Sequence, residues 1–360
     1  MFYLLLAPLK EHFSILNIFR YITFRASYAG ITSIVLCFVL GPHLTRWLKR
    51  IGIRDNLRPY LDDAHKKKKG TVTMGGLIML ISIVISIILW ADLSNRYILI
   101  SLVSILWLGI IGVADDILTV RNRRGISVKT KLLGQFSLGV VIGVLLIFAP
   151  QVKGYENMTS LLFLKNFFLN LGWFYIPFII FVIVGTSNAV NITDGLDGLA
   201  TGLLVITVGS YGILSYIAGN VNLSKYLNIL FIPGSGELSI LCVAIAGACL
   251  GFLWFNAHPA EVFMGDTGSL TLGGILAIVA VLIKQELLLI LLGGVFVIET
   301  LSVIFQIAYF KLTGGKRLFR MAPIHHHFEK LGWPESKIVV RFWIIGILLA
   351  ILGLSTLKIR

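Results

Sequence analysis

The sequence predicts an all-α integral membrane protein, a polytopic bundle of about ten transmembrane helices forming a single domain over residues 1–360. Composition is the first reason. Of the 360 residues, 57% are hydrophobic and 13% charged, and the mean hydropathy is +0.91, whereas a soluble domain is apolar over roughly half its length. Spacing is the second: the apolar residues fall into runs of about 20, the length at which a helix crosses the hydrocarbon of a bilayer. The third is the position of the basic residues. A net charge of +14 and a pI near 9.8 would suggest nucleic acid in a soluble chain. Here the Lys and Arg border the apolar runs and meet anionic headgroups, so the bilayer is the expected partner and nucleic acid is not.

Taken in order, the spans centre on residues 28–47, 72–91, 97–114, 132–150, 171–187, 199–218, 238–255, 268–283, 287–310 and 339–357. Only Lys284-Gln285-Glu286 separates the eighth from the ninth. Met1 to Pro8 is apolar but lacks a basic leader and a small-residue cleavage site, so it is read as mature sequence. Cys37, Cys242 and Cys249 lie inside apolar runs without paired spacing and read as small packing residues. The longest connection on the other side, Gln151 to Asn170, is rich in Leu and Phe and reads as a segment lying on the membrane. No internal repeat or low-complexity linker divides the chain.

Orientation comes from the basic residues, which are retained on the cytoplasmic side. Counting Arg46 at the end of the first span with the loop that follows it, twenty of the 31 Lys and Arg fall in the loops after the odd-numbered spans. With an even span number, both termini are then periplasmic or extracellular and the odd loops are cytoplasmic. Those same loops hold Asp62-Asp63, Asp115-Asp116, the Asn188–Gly198 stretch, Asn256 to Asp266 and His325-His326-His327. Every polar cluster in need of explanation thus faces one side, and the active site is expected at the cytoplasmic face.

Asn188, Asn191, Asp194 and Asp197 recur every third residue, and a helix would align them roughly on one stripe, while Gly195 and Gly198 let the backbone turn or approach a ligand. In the first odd loop, Lys66 to Lys69 precede Gly70-Thr71-Val72-Thr73-Met74-Gly75-Gly76. These lysines serve as a topology anchor, as phosphate ligands beside the donors of a helix N-terminus, or as both. Asp115 and Asp116 close span three ahead of Arg121, Arg123, Arg124, Lys129 and Lys131. Adjacent carboxylates at a span end need solvent, basic partners or a cation. Mg2+, which takes a few carboxylates plus substrate phosphates, suits such a scattered acid set. The third acid of a D-D-x-x-D prenyl-diphosphate motif is missing.

Asp266, between Gly265 and Thr267, reads as a helix cap or as a metal ligand, and Phe263 as an aromatic face for a base or as a membrane anchor. His325, His326 and His327 are too close for all three to meet one ligand from a helix, so one or two serve structure. Zinc is disfavoured, since no cysteine pair or H-x-x-x-H spacing accompanies them, and an imidazole meeting a phosphate fits better. Glu299, mid-span, requires a partner and reads as a packing hydrogen bond.

Together, Gly70 to Gly76, Asp115-Asp116, Asn188 to Gly198, Phe263 to Leu270 and Ala322 to Glu329 closely resemble the phospho-N-acetylmuramoyl-pentapeptide transferases of bacteria, in order and over nearly the whole chain. The His-His-His-Phe-Glu run is similar to that branch rather than to the related GlcNAc-1-phosphate transferases. Val72 stands where the family usually has Pro. The resemblance implies a multi-pass protein of the bacterial cytoplasmic (inner) membrane, and a homodimer. It also implies that UDP-N-acetylmuramoyl-pentapeptide and undecaprenyl phosphate react with Mg2+ to give lipid I and UMP. By motif, Asp266 would ligate Mg2+ with Asp115 and Asp116 nearby, the latter two handling the lipid phosphate or its proton, and His325 would assist near the phosphates. Lys68, Lys69, Thr73, Lys131, Asn188, Asn191, Asp194, Asp197, Asn256, Phe263, His326 and His327 would surround the nucleotide sugar, with Phe263 against uracil. The competing readings are a GlcNAc-1-phosphate transferase and, outside enzymes, an ion-coupled transporter, which would need acids near mid-membrane.

Overall fold

The computed structural model describes residues 1–6, 8, 13–53, 70–161, 164 and 167–359. Ten long helices carry the architecture: α1 Ile22–Arg50, α2 Gly76–Trp90, α3 Arg96–Asn122, α4 Val128–Phe148, α5 Tyr175–Thr193, α6 Leu199–Ala218, α7 Glu237–Asn256, α8 Gly265–Leu282, α9 Gly294–Leu312 and α10 Glu335–Ile359. Nine of these segments are long and apolar enough to cross a membrane, and α2 is a shorter apolar helix. A helix stands at each of the ten expected positions, nine of them long enough to cross among the described residues, and the chain is a polytopic all-α membrane protein. The spans' apolar side chains also cover the outside, as lipid-facing helices require: Val103, Leu106 and Ile110 are exposed on α3, while Trp173 and Phe174 are exposed at the start of α5.

At the centre lies α8. Every residue from Thr267 to Leu282 is buried, and the helix packs against α3 and α5, while α7 packs against α1 and α6. Hydrocarbon solvates apolar side chains as well as the protein does, so close backbone approach rather than the hydrophobic effect drives such contacts. Accordingly, a Cβ on Gly247 of α7 would lie 2.4 Å from the Gly30 carbonyl oxygen of α1, and one on Gly76 of α2 would lie 2.1 Å from the Gly268 amide of α8. The three cysteines are free and buried in this packing, as their surroundings in the sequence suggest.

The second span starts later than its hydropathy implies. Val72 forms an isolated parallel bridge with Val262, Met74 has a left-handed backbone (φ 67°), and the helix begins only at Gly76. The amides of Gly75 and Gly76 donate to the Phe263 and Met264 carbonyls, both at 2.8 Å. Residues that are apolar enough for a span are thus committed to pairing with a distant loop.

The connection from Gln151 to Asn170, expected to lie on the membrane, carries strand structure that its composition does not announce. It contains an antiparallel pair, Met158–Ser160 with Phe168–Asn170, in which Thr159 and Ser160 are buried. Polar groups at the break between α8 and α9 explain why. Lys284, 1% exposed, donates to the Tyr175 hydroxyl and the Glu156 carbonyl, both at 2.8 Å. Its ammonium lies 4.0 Å from the Tyr175 ring centroid. Glu286 accepts from Tyr175 at 2.6 Å and from Thr159 at 2.7 Å. Burial pulls the Lys284 ammonium down to about 8, against the opposing pull of Glu286 and Glu156. The patch that separates two apolar runs in the sequence is a folded network holding the hairpin.

A second buried pair joins α1 to α7. Arg25 and Glu237 form a two-pronged ion pair, Nη1 donating to Oε2 at 2.8 Å and Nη2 to Oε1 at 2.5 Å, and the Asp92 amide also donates to Glu237 at 2.9 Å. Breaking a buried pair from one side leaves an uncompensated charge. Glu237→Ala is therefore expected to cost about 3–5 kcal/mol, read as a lower thermal unfolding temperature in detergent, whereas Glu237→Gln, which keeps hydrogen-bonding atoms, loses less.

Candidate active site

The acids of α3 are placed by the turn that leads from this helix into α4. The helix ends at Asn122, with Arg123 in the left-handed region (φ 55°), and the chain folds back so that the Ile126 amide donates to Asp115 Oδ1 at 2.7 Å. Gly125 is required there, since a Cβ would lie 2.6 Å from Asp115 Oδ1. Ser127 then caps α4 by accepting from the Thr130 amide at 3.2 Å. That sets Lys131 one turn into α4, where its ammonium bridges Asp115 Oδ2, at 3.0 Å, and Asp266 Oδ2.

Asp116 plays another part. Its Oδ1 accepts the Asp266 amide at 3.0 Å, and its Oδ2 accepts the Thr267 amide at 2.9 Å and the Thr267 hydroxyl at 2.6 Å. A side chain of α3 thus caps the N-terminus of α8, where free amides and the helix dipole favour an anion. Gly265 adopts φ +72°, and a Cβ on it would meet Asp116 Oδ2 at 2.7 Å and Thr73 Oγ1 at 3.1 Å, so Thr73 also lies at this helix start.

The last turn of α5 supplies Asn191, whose Nδ2 donates to Asp266 Oδ1 at 2.7 Å and Ser269 Oγ at 2.9 Å. Asn188 lies a turn deeper and donates to Gln135 Oε1 and the Val184 carbonyl, both at 2.8 Å, a bond between α5 and α4. Beyond the helix, the Asp194 carboxylate has no hydrogen-bond partner among the described residues. Burial raises it to about 8, reinforced by the negative charges of Asp266, Asp116 and Asp197.

Asp197 and Asn256 are engaged by the protein itself. Asn256, 2% exposed, accepts from the Gly198 amide at 3.1 Å and Thr201 at 2.8 Å, and donates to the Val262 carbonyl at 3.0 Å. It ties the 194–198 loop to the loop before α8. Asp197 Oδ2 takes the Ala260 amide at 3.1 Å and His258 Nδ1 at 3.1 Å, and that nitrogen is also 3.2 Å from Glu335 Oε2. These three side chains offer ligand atoms within 4.8 Å of one another, but at hydrogen-bond distances they satisfy each other. His258 and Glu335 escape a reading of the sequence because their partners are distant in the chain. The only signal was a histidine in the same loop as Asn256.

Phe263 is half-buried, and its backbone is held by Val72 and Gly75 through 2.8 Å bonds. The three histidines diverge, each finding a different partner. His325, on the short helix Ile324–Lys330, is buried with Nδ1 3.0 Å from Glu299 Oε2. His326 pairs with Glu329, and His327 Nδ1 accepts the Arg320 amide at 3.1 Å. Glu299 has the partner its position demanded. Lys68 and Lys69 lie outside the described residues.

Asp115, Asp116, Asp194 and Asp266, with Lys131 and Asn191, therefore meet where α3, α4, α5 and α8 end or begin. A group of carboxylates with a lysine at the ends of membrane-spanning helices suits the handling of phosphates by a membrane enzyme. In keeping with this, residues 98–284, more than half of the chain, match the family described as Glycosyl transferase family 4, and the chain is a membrane transferase of that class. Within it, the chain belongs to the phospho-N-acetylmuramoyl-pentapeptide transferase family. It is 51% identical to the phospho-N-acetylmuramoyl-pentapeptide-transferase of Maridesulfovibrio salexigens over 100% of both chains. It is 53% identical to that of Desulforapulum autotrophicum over 99% of both, and 51% identical to that of Rickettsia felis over 100% of both.

Asp194 gives this site a pH signature. Its folded carboxyl keeps a proton that the unfolded chain releases near 3.8, so its contribution to stability is complete below that pH and is lost as pH rises through about 8. Thermal unfolding of ligand-free protein is expected to weaken between pH 5 and pH 8 more steeply in the wild type than in Asp194→Asn.

Proposed function

We propose that the chain transfers phospho-N-acetylmuramoyl-pentapeptide from UDP to a polyprenyl phosphate at the cytoplasmic face of the bacterial inner membrane, releasing UMP. Full-length identity to transferases of that name supports the substrate class. The observation that carries the chemistry is the bridge from Asp115 through Lys131 to Asp266 at the head of α8. A nucleotide sugar stays in water and a polyprenyl phosphate stays in the bilayer, and helix ends are where the two meet. The excess of basic residues on the loops of this side supports its cytoplasmic assignment.

The donor set fits Mg2+, a hard cation that prefers oxygen ligands. Asp194 is an acid with no hydrogen-bond partner among the described residues, raised by burial and by its neighbours' negative charge. Among the same residues, Lys131 is the one cation hydrogen-bonded to the carboxylates of Asp115 and Asp266. Asp266 would hold the ion, with Asp115 and Asp194 beside it. Asp116, whose two oxygens already accept three bonds, acts mainly as the cap that places Asp266. When bound, Mg2+ supplies neutralisation of the diphosphate charge.

Phosphoryl transfer needs positioning and charge stabilisation more than covalent help from the protein. Lys131 offers its ammonium to phosphate oxygens as they displace its carboxylate partners. Asn191 orients Asp266, and Asp115 takes the proton of a lipid phosphate that arrives singly ionised. The lipid phosphate oxygen attacks the sugar-bearing phosphorus, the P–O bond to the nucleotide breaks, and UMP leaves. Phe263 stacks on uracil, and the loop pinned by Asn256 and Asp197 forms the floor under the nucleotide sugar.

Purified protein is expected to release UMP from UDP-N-acetylmuramoyl-pentapeptide only with polyprenyl phosphate present, to prefer it over UDP-GlcNAc, and to stop when a chelator removes divalent metal. Asp266→Asn is expected to lower turnover roughly a hundredfold or more while the protein remains folded. A burst of UMP without lipid acceptor would instead point to a covalent phosphosugar intermediate. Solute movement in proteoliposomes without UMP would point to a transporter.

A further inference from the structure

A buried polar atom without a partner is rare enough to need a reason. Near the site, and among the described residues, His325 Nε2 is such an atom, and so is Glu299 Oε1 behind it. Both residues are 0% exposed, and Glu299 Oε2 lies 3.0 Å from His325 Nδ1. The orphaned nitrogen faces the 194–198 loop: a Cβ on Gly195 would lie 2.3 Å from Nε2 and 2.9 Å from Cε1. The His326 ring packs against that of His325 with centroids 4.2 Å apart, so its position is fixed from two sides.

We propose that Glu299 is a positioning residue. It holds His325 so that Nε2 stays open toward the 194–198 loop and meets a phosphate oxygen of the nucleotide sugar. This rests on the transferase reading above. A carboxylate opposite Nδ1 accepts only, so the ring keeps a proton there and Nε2 is left for the substrate, the logic by which outer partners orient a working imidazole. The carboxylate also offsets the positive charge of the ring when Nε2–H donates to phosphate. Glycine at 195 is the second part of the device, because a Cβ there would lie 2.3 Å from Nε2 and displace the ring. Glu299 sits among apolar residues of α9, and an anion buried so deeply is costly to keep without a task.

The test measures UMP release by full-length protein in detergent. Glu299→Gln keeps shape and hydrogen-bonding atoms but loses the charge. It is expected to lower kcat about 10–100-fold, to leave the thermal unfolding temperature within a few degrees, and to be partly rescued by Glu299→Asp. In a His325→Ala background the same substitution is expected to add no further loss, because the two residues act as one unit. Gly195→Ala should produce a loss that likewise vanishes in that background, and it serves if Glu299→Gln fails to fold. Wild-type kcat in Glu299→Gln, or a loss that persists without His325, overturns the proposal. A second readout needs no substrate: in 15N-histidine-labelled protein, Glu299→Gln is expected to shift the Nδ1 resonance of one histidine, and an unchanged spectrum overturns the pairing. Wild-type protein that releases no UMP, yet shows this shift, would sink the transferase reading and leave the dyad standing.

Discussion

The site depends first on the carboxylate of Asp116 at the start of α8. Three bonds from the Asp266 and Thr267 amides and the Thr267 hydroxyl fix the end of one helix against the flank of another. Charge-assisted bonds of this kind are about twice as strong as neutral ones, and here they also neutralise orphan amides that a helix end in a membrane protein has few ways to satisfy. Gly112, one turn before Asp116, lets the helices approach until a Cβ would lie 2.6 Å from Thr267 Cα. Asp115 then lies within reach of Lys131, and Lys131 within reach of Asp266. The reacting groups are arranged by one that is itself fully occupied.

Much of this was legible in the sequence because it depends on local quantities. Span number is set by run length, and the site acids stand out because carboxylates beside hydrocarbon need a reason. The Lys284 to Glu286 patch marked a true break between α8 and α9. What stayed hidden depends on contacts between distant segments. Val72 reads as part of a span, but its pairing with Val262 holds it outside the helix. The Leu- and Phe-rich stretch after α4 gives no sign of its strand pair, in which Thr159 and Ser160 are drawn inward by Glu286 and the Lys284 carbonyl.

The same limit applies to roles. Spacing put Asn188, Asn191, Asp194 and Asp197 on one stripe, yet the helix ends at Thr193 and the four part company. Asn191 reaches Asp266, Asn188 bonds to α4, Asp197 holds His258, and among the described residues Asp194 alone keeps an unshared carboxylate. Three adjacent histidines, too close on a helix to meet one ligand, make three separate contacts. A residue type tells what chemistry is possible, but its neighbours decide whether that capacity is already spent.

The two ends of the bundle also differ in how their buried charges are met. Around Lys284 and Glu286, both charges are enclosed with partners from the hairpin, α5 and the α8–α9 break. At the other end, carboxylates crowd one another, and among the described residues Asp194 and His325 keep unused valences. The chain therefore carries its mechanical security and its chemical tension at opposite ends of the same helices. The firm end lets the tense one exist, since a fold anchored elsewhere tolerates a site that is not at its own energetic optimum.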